Sequence, residues 1–342
     1  MIRVRALVVT WQGVDLLPPC LDSLLSQQVP DAEVEVVVLD NASTDGTREM
    51  LARDYPRVRV IAAARNLGFA GGVVRGLQDF DGDVVVLLNN DARMLPDAMA
   101  ELVGPLRSPG PLAATTARIL LAGRFRHTDR PTPDSPDGRS PWRPDPDGVR
   151  LLNSTGNEVA PDGSGRDRDW LTPADAEHAD PTVFGFCGGA AALSWPAVRS
   201  VGGMDAGLFL YYEDTDLSWR LRAAGYDIRY VRTAEVEHLH SASSGTSSPL
   251  FRYQNTRNSL TVVTRHAPMP MVLTAWLRQT AGLAGCVVRG PRAELAPRAR
   301  GLRDALLRLP RTLAERRRIW SDARRDRRSA LSPARNAGTA LP

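Results

Sequence analysis

Short apolar runs alternate with helix-spaced segments through the N-terminal part of the chain. Val4–Thr10 is a β-rich run that ends at a polar turn. Leu16–Gln28 follows, with apolar side chains at 17, 21, 24 and 25, the spacing of one helix face. Val34–Leu39 predicts a second strand, cut off by the loop Asp40–Gly46, which carries helix N-cap residues. Thr47–Asp54 then reads as a helix, Val58–Ala62 as a strand and Gly71–Gln78 as a helix. Val84–Leu88 is a continuous apolar strand that stops at Asn89-Asn90-Asp91. Strands alternating with helices predict an α/β fold with a doubly wound, mostly parallel sheet covered on both faces. Ligands in such sheets bind beyond the carboxyl ends of the strands, where the polar clusters fall.

The pattern breaks at residues 124–150, where six prolines lie between 131 and 146. That composition predicts a flexible surface insertion outside the core. Apolar and glycine-rich patterning resumes over 183–240. Beyond Pro268, Met271–Val288 reads as a moderately apolar helix, and 292–330 as arginine-rich helical segments with a disordered end. No unbroken run of 18 apolar residues occurs, so no helix is expected to span a membrane. The division implied is an α/β domain over 1–266 and a basic helical extension over 267–342.

Charge changes the picture of that extension. The chain has 342 residues, 43 basic and 39 acidic side chains and a net charge of +4, and every basic residue is arginine. Lysine chemistry, Schiff base or P-loop, is therefore excluded. Residues 289–335 hold fifteen arginines against five acids, a local net of +10 that leaves −6 for the rest. A solvated helical surface and attraction to anionic lipid account for this segment equally well. Nucleic acid is not an expected partner, because no recognition module is present and aromatics do not interleave with the arginines. Three well-separated cysteines, Cys20, Cys187 and Cys286, suggest neither a disulfide framework nor structural zinc. The expected compartment is the cytoplasm, with peripheral contact at the inner face of the plasma membrane.

Candidate chemistry sits at the strand ends. Asp40 closes the second strand and Asn89-Asn90-Asp91 the fourth, so two polar clusters can converge on one ligand. A carboxylate there can accept from a nucleobase or hold a divalent cation, or simply cap the next helix. The loop Arg65–Gly72 offers glycines, a guanidinium and a helix N-terminus, though not the dinucleotide GxGxxG spacing after strand one. In Tyr211–Arg220, Glu213, Asp214 and Asp216 crowd three carboxylates into four positions. Their repulsion should raise at least one pKa, as a general base requires. Asp216 can alternatively pair with Arg220 one helical turn on.

Read in order, Val9-Thr10-Trp11, Leu39–Thr47, Arg65–Gly72, Leu88-Asn89-Asn90-Asp91, Phe186–Ala190 and Tyr212–Leu217 resemble glycosyltransferase family 2, in its rhamnosyltransferase-like bacterial branch. The resemblance covers about residues 1–266 and implies a GT-A fold and an inverting transfer from a nucleotide-diphosphate sugar. It implies that Thr10, Trp11, Asp40 and Asn41 meet the nucleotide, with Arg65, Asn66 and Gly68 nearby. Asn90 and Asp91 would occupy the family's DxD position, Asp91 reaching a divalent metal, Mg2+ or Mn2+, with Asn89 replacing the first aspartate. Asp214 would be the catalytic base beside Glu213. Gly188 and Gly189 would allow close approach of donor or acceptor. His238 would complete the metal site, with His240 an equally near alternative. Arg257 would lie near the donor phosphates or else form a surface pair. Branch similarity favours dTDP-rhamnose over a UDP-sugar donor, and a lipid-linked or cell-surface glycan as acceptor in polysaccharide synthesis. The competing classes are a nucleotidyltransferase, which lacks a basic phosphate loop after strand one, and a noncatalytic membrane-surface scaffold, which leaves Glu213–Asp216 unexplained.

Overall fold

A computed structural model describes residues 1–239, 248–288, 290 and 292–332. Its first half is built as the patterning predicts: β1 (Ile2–Thr10), α1 (Leu17–Leu25), β2 (Ala32–Asp40), α2 (Thr47–Asp54), β3 (Arg59–Ala62), α3 (Gly68–Gly76) and β4 (Val84–Asn89). β5 (Ala92–Met94), α4 (Ala98–Val103) and β6 (Leu112–Leu121) follow. The sheet runs β3-β2-β1-β4 in parallel. It then accepts β12 (Ala190–Ser194) antiparallel between β4 and β6, and continues to β13 (Asp227–His238), parallel to β6, and to β5, antiparallel to β13. The result is an α/β fold of GT-A type with a mixed central sheet.

The strands read as unbroken apolar runs because both faces are covered. On one face α1 and α4 bury Leu17, Leu21, Met99 and Leu102 against Val8, Val38 and Val86. On the other, α3, α5 (Trp195–Ser200) and α6 (Glu213–Ala223) pack Val73, Val198, Leu217 and Leu221 on Leu7, Leu39 and Leu87. Each such side chain contributes roughly 1.5–3 kcal/mol. A third cluster joins Trp219 of α6 to Val263 of α7 (Pro249–His266), Ala275 of α8 (Met269–Val288), Leu302 of α9 (Arg292–Ser321) and Ala330 of α10 (Arg327–Leu331). The C-terminal helices therefore share a core with the sheet domain.

Two expectations need correction. The 124–150 insertion is not featureless: β7 (Phe125–His127) pairs with β8 (Trp142–Pro144), and Phe125 is buried with Leu121 and Leu151. Prolines tolerated at the edges of a two-stranded ribbon masked this pairing. Further on, β9 (Leu152–Ser154) joins β6, and β10 (Asn157–Val159) pairs with β11 (Gly165–Asp167). Secondly, α8 is long and apolar enough, by length and composition alone, to cross a membrane, with 22% of that window buried. A single arginine, Arg278, interrupts its apolar run without lowering the mean hydropathy enough to exclude it. The end of the chain, 333–342, lies outside the described residues.

Candidate active site

A cleft with a cavity volume of about 1050 Å³ opens at the carboxyl ends of β1 and β4. Thr10, Trp11, Asn41, Asn66, Gly68, Asn90, Asp91, Gly188, Gly189, Glu213, Asp214 and His238 all line it. Sequence positions spread over more than two hundred residues are thus brought to one place by the strand order.

The nucleotide end is framed by amides. The Asn90 side-chain amide donates to Thr10 Oγ1 at 3.0 Å. Buried Asn41 accepts from the Leu67 backbone N–H at 3.2 Å and donates to the Gly68 carbonyl at 3.1 Å, fixing the glycine loop. Gly68 has φ +71°, and a Cβ there would stand 2.3 Å from the Phe209 carbonyl oxygen. Only glycine fits that position. Asp40 and Arg65 are not brought to the cleft wall. Asp40 is fully buried at the end of β2, where it accepts from Ser43 N–H at 3.0 Å and pairs with Arg48. Neither of these bonds caps α2, whose N-cap is Gly46, so Asp40 instead ties the loop after β2 together, and Arg65 is exposed outside the cleft.

At the end of β4, Asp91 Oδ1 lies 2.9 Å from His238 Nε2, and His238 Nδ1 lies 2.6 Å from Asn153 Oδ1. The Asn153 side chain holds one ring nitrogen of His238 and so turns the other toward the Asp91 carboxylate. Such an electron-rich pair is met by a proton or by a cation, and a second-shell amide orienting the imidazole suits a ligand histidine. Asn89 Nδ2 lies 3.3 Å from the same Nε2. No group of three or more His, Cys, Asp or Glu side chains able to hold a metal occurs among the described residues. Asp91 and His238 are two neighbouring donors of the types that divalent cations accept. The charge balance agrees: among the described residues seven carboxyls and one guanidinium, Arg166, line the cleft, and Arg166 donates to Glu158 at 2.6 Å. An anion entering such a cleft meets mostly negative charge. His240 lies outside the described residues.

The acidic cluster opens α6. Its three carboxylates occupy the first turn, where the helix dipole favours negative charge, but they do different things. Asp214 Oδ2 accepts from the Gly188 N–H at 3.0 Å, and Oδ1 accepts from the Thr215 N–H at 2.6 Å, presenting the carboxylate to the cleft. Glu213 is buried behind it, with Oε2 lacking a hydrogen-bond partner among the described residues. Burial, and then the Asp214 charge, push the Glu213 carboxyl well above its usual range. Asp216 is fully buried and turned away, accepting from Arg220 at 2.9 Å, Arg265 at 2.6 Å and His266 at 2.8 Å. Burial opposes its ionisation, yet the Arg220 and Arg265 charges and the His266 hydrogen bond hold it well below the usual carboxylate range. The expected Asp216–Arg220 pair is present.

Arg257 does not reach the cleft. Its guanidinium donates to the carbonyls of Leu208 at 2.8 Å and Gly207 at 3.3 Å, bracing the loop before α6. The site also holds residues that the sequence did not single out. Asp167 on β11 is a half-buried cleft carboxyl, pushed up to about 6 by desolvation and, further, by Asp214. In the alternating stretch Arg166-Asp167-Arg168-Asp169 it looks like any solvated loop charge. Asn153, Phe209 and Phe251 likewise have no local signature.

Comparison with known proteins agrees with this geometry. The profile of "Glycosyl transferase family 2" matches residues 6–171. The chain is 30% identical over 234 residues, 62% of its length and 68% of the relative's, to the N-acetylglucosaminyl-diphospho-decaprenol L-rhamnosyltransferase of Mycobacterium tuberculosis. It is 29% identical over 110 residues, 31% of each chain, to a dolichol-phosphate mannosyltransferase of Pyrococcus furiosus. Among solved structures it is similar to GalNAc-T7 with UDP, GalNAc and Mn2+ (TM-score 0.59, 15% identity, 92% of this chain and 57% of that one). It is also similar to the mannosyltransferase PcManGT of Pyrobaculum calidifontis with GDP-Man and Mn2+ (TM-score 0.51, 18% identity, 90% and 87%). The chain belongs to glycosyl transferase family 2 and is a glycosyltransferase that moves a sugar from a nucleotide-sugar donor.

Proposed function

We propose that this enzyme inverts the anomeric centre as it transfers rhamnose from a nucleotide-diphosphate donor, dTDP-rhamnose, to a hydroxyl of a lipid-linked glycan in cell-surface polysaccharide synthesis. The sugar and acceptor readings are supported by the mycobacterial relative, whose name specifies both an L-rhamnosyl transfer and a diphospho-decaprenol substrate. The observation that carries the chemistry is the position of Asp214, fixed by the Gly188 and Thr215 N–H groups in an otherwise acidic cleft.

Thr10, Asn90 and Asn66 frame the nucleotide, and Trp11, 48% exposed, offers a face at the cleft mouth. Asp91 and His238 would hold a Mg2+ or Mn2+ ion, which when bound neutralises charge on the departing diphosphate. Asp214 takes the proton from the acceptor hydroxyl as that oxygen attacks the anomeric carbon from the face opposite the diphosphate. Glu213, buried and biased toward its protonated form, keeps a second negative charge away from Asp214.

The test uses the purified protein with dTDP-rhamnose, other nucleotide sugars and a polyprenyl-diphosphate N-acetylglucosamine acceptor. Asp214→Asn should lower transfer by about 10²–10⁴-fold while nucleotide affinity, read by thermal shift, stays near wild type. Chelation should abolish turnover, and Mn2+ or Mg2+ should restore it. Substantial turnover by Asp214→Asn would remove Asp214 as base, and transfer of a different sugar would overturn the donor reading alone.

A further inference from the structure

The exposed face of α8 has no partner among the described residues. Eleven of its twenty residues are exposed, and none of the eleven is charged. Met269, Leu273, Leu277, Ala281, Ala284 and Val288 follow one another at spacings of three and four, a stripe along one side of a helix about 30 Å long. Leu273 is 59% exposed, Leu277 70% and Val288 74%, far more than isolated surface leucines require. The opposite face is fixed to the protein: Val272, Ala275, Gln279 and Cys286 are buried, and Gln279 donates to Ser259 of α7 at 3.0 Å.

We infer that this face docks on an anionic phospholipid bilayer, with α8 lying in the plane of the interface. Charge complementarity selects that occupant. Neighbouring α9 exposes Arg300, Arg303, Arg311, Arg317 and Arg318, together with Leu306 and Leu307. Its three acids, Glu294, Asp304 and Glu315, are only partly exposed and are engaged with Arg298, Tyr253 and Arg265. An apolar stripe beside exposed arginines is the pattern of an interfacial helix, the stems entering the acyl boundary and the guanidinium groups meeting lipid phosphates. A symmetric pair of copies would instead bring arginine-rich surfaces together. A membrane-spanning α8 would have to carry Arg278, paired with Asp162 at 3.3 Å, into the hydrocarbon.

The placement also has a functional consequence. Asp162 and Gly163 form the turn between β10 and β11, and a Cβ on Gly163 would stand 2.8 Å from Val263 and 3.3 Å from Ala275. The ribbon that turn closes supplies Asn157, Glu158, Arg166 and Asp167 to the cleft. Docking α8 therefore brings the wall of the cleft to the lipid surface. The inference stands on the helix face and does not depend on the identity of the sugar.

The experiment is co-sedimentation of the full chain with vesicles of phosphatidylcholine alone or of phosphatidylcholine with phosphatidylglycerol, containing no sugar acceptor. The wild type should pellet with the anionic vesicles only and be released by alkaline carbonate. Leu273→Glu/Leu277→Glu should weaken binding at least about ten-fold with an unchanged melting temperature and unchanged hydrolysis of nucleotide sugar in solution. Failure to bind anionic vesicles, or binding that the double variant leaves intact, overturns the inference. So does a dimer that the double variant dissociates, which would assign the face to a second copy, and so does resistance to carbonate, which would assign α8 to a span. A protein that binds vesicles but transfers no rhamnose leaves the docking face standing and removes the donor reading.

Discussion

Removing the Asp216 carboxylate should destabilise the fold rather than abolish the chemistry. The side chain is fully buried and accepts from Arg220, Arg265 and His266. Truncation to alanine leaves cationic groups in the interior without their anion, a loss of about 3–5 kcal/mol for a buried pair. The neighbours reduce it: Arg220 still donates to the carbonyls of Val201 at 2.8 Å and Gly203 at 2.6 Å. Arg265 still reaches Asp205 at 3.0 Å and Glu315 at 2.6 Å. The lower end of the range, about 3 kcal/mol, is therefore expected for Asp216→Ala, lowering the melting temperature of a chain this long by roughly 4 °C. Urea unfolding can be followed through Trp219, which stacks on His266 at 5.3 Å between ring centroids. Asp214→Asn, two positions away, should shift stability by less than about 1 kcal/mol while abolishing transfer. An Asp216→Ala protein as stable as wild type but inactive would refute the division of labour drawn within Glu213–Asp216.

Three further outcomes follow from the same structure. Burial holds His266 down to about 4 despite its bond to Asp216, so the unfolded chain takes up a proton that the native one refuses. Stability should fall as pH drops from 6.5 toward 4, by up to about 3 kcal/mol, and urea midpoints of His266→Gln should lack that component. Asp167 behaves oppositely: its raised pKa of about 6 means that stability is lost as pH rises through 6 and the half-buried carboxyl ionises. Asp167→Asn should accordingly stabilise the protein at pH 8 by about 2 kcal/mol and much less at pH 4, as thermal melts at the two pH values will show. Gly68→Ala forces a Cβ against the Phe209 carbonyl at positive φ, costing about 1–3 kcal/mol. It should also weaken the thermal shift produced by nucleotide, whereas Gly188→Ala, whose Cβ meets nothing nearer than 3.4 Å, should not destabilise comparably.

What could be read in the chain beforehand was what is local. β1, β2 and β4 announce themselves because a strand buried on both faces is a continuous apolar run, and Thr47–Asp54 because Gly46 caps it. The strand-end position of Asp91 and the helix-start position of Asp214 follow from those runs. Asp40 shows the limit. It ends a strand as Asp91 does, but Arg48, eight residues on, folds back over it and takes its carboxylate out of the cleft. Nothing in the spacing distinguishes the two. Asp167 and Asn153 were hidden for the converse reason, since only the pairing of β10 with β11 and of β9 with β6 carries them to the site. The arginine-rich extension misled most, because counting charges treats as a tail a segment whose arginines partly face inward. Arg316 donates to the Thr264 carbonyl at 2.7 Å, and Arg325 to that of Tyr226 at 2.9 Å.

That inward packing bears on catalysis through the loop that precedes α6. Phe209, Tyr211 and Tyr212 all have φ near +70°, a conformation that costs a non-glycine residue about 1–2 kcal/mol each. Such a run persists only where its surroundings over-determine it. Asn258 supplies one amide to the carbonyls of Leu208, Leu210 and Tyr211, at 2.8, 2.9 and 2.8 Å. Arg257 adds charged donors to Gly207 and Leu208, and Arg308 reaches Gly207 from α9 at 3.1 Å. α7, which carries Arg257 and Asn258, is itself seated on α9: Gly301 lies so close to Thr256 that a Cβ would stand 2.8 Å from its side chain, and Tyr253 donates to Asp304 at 2.8 Å. The strained turn aims the first residues of α6 and hence Asp214. The arginine-rich helices thus hold the Asp214 carboxylate in place from behind, whatever their outer face touches.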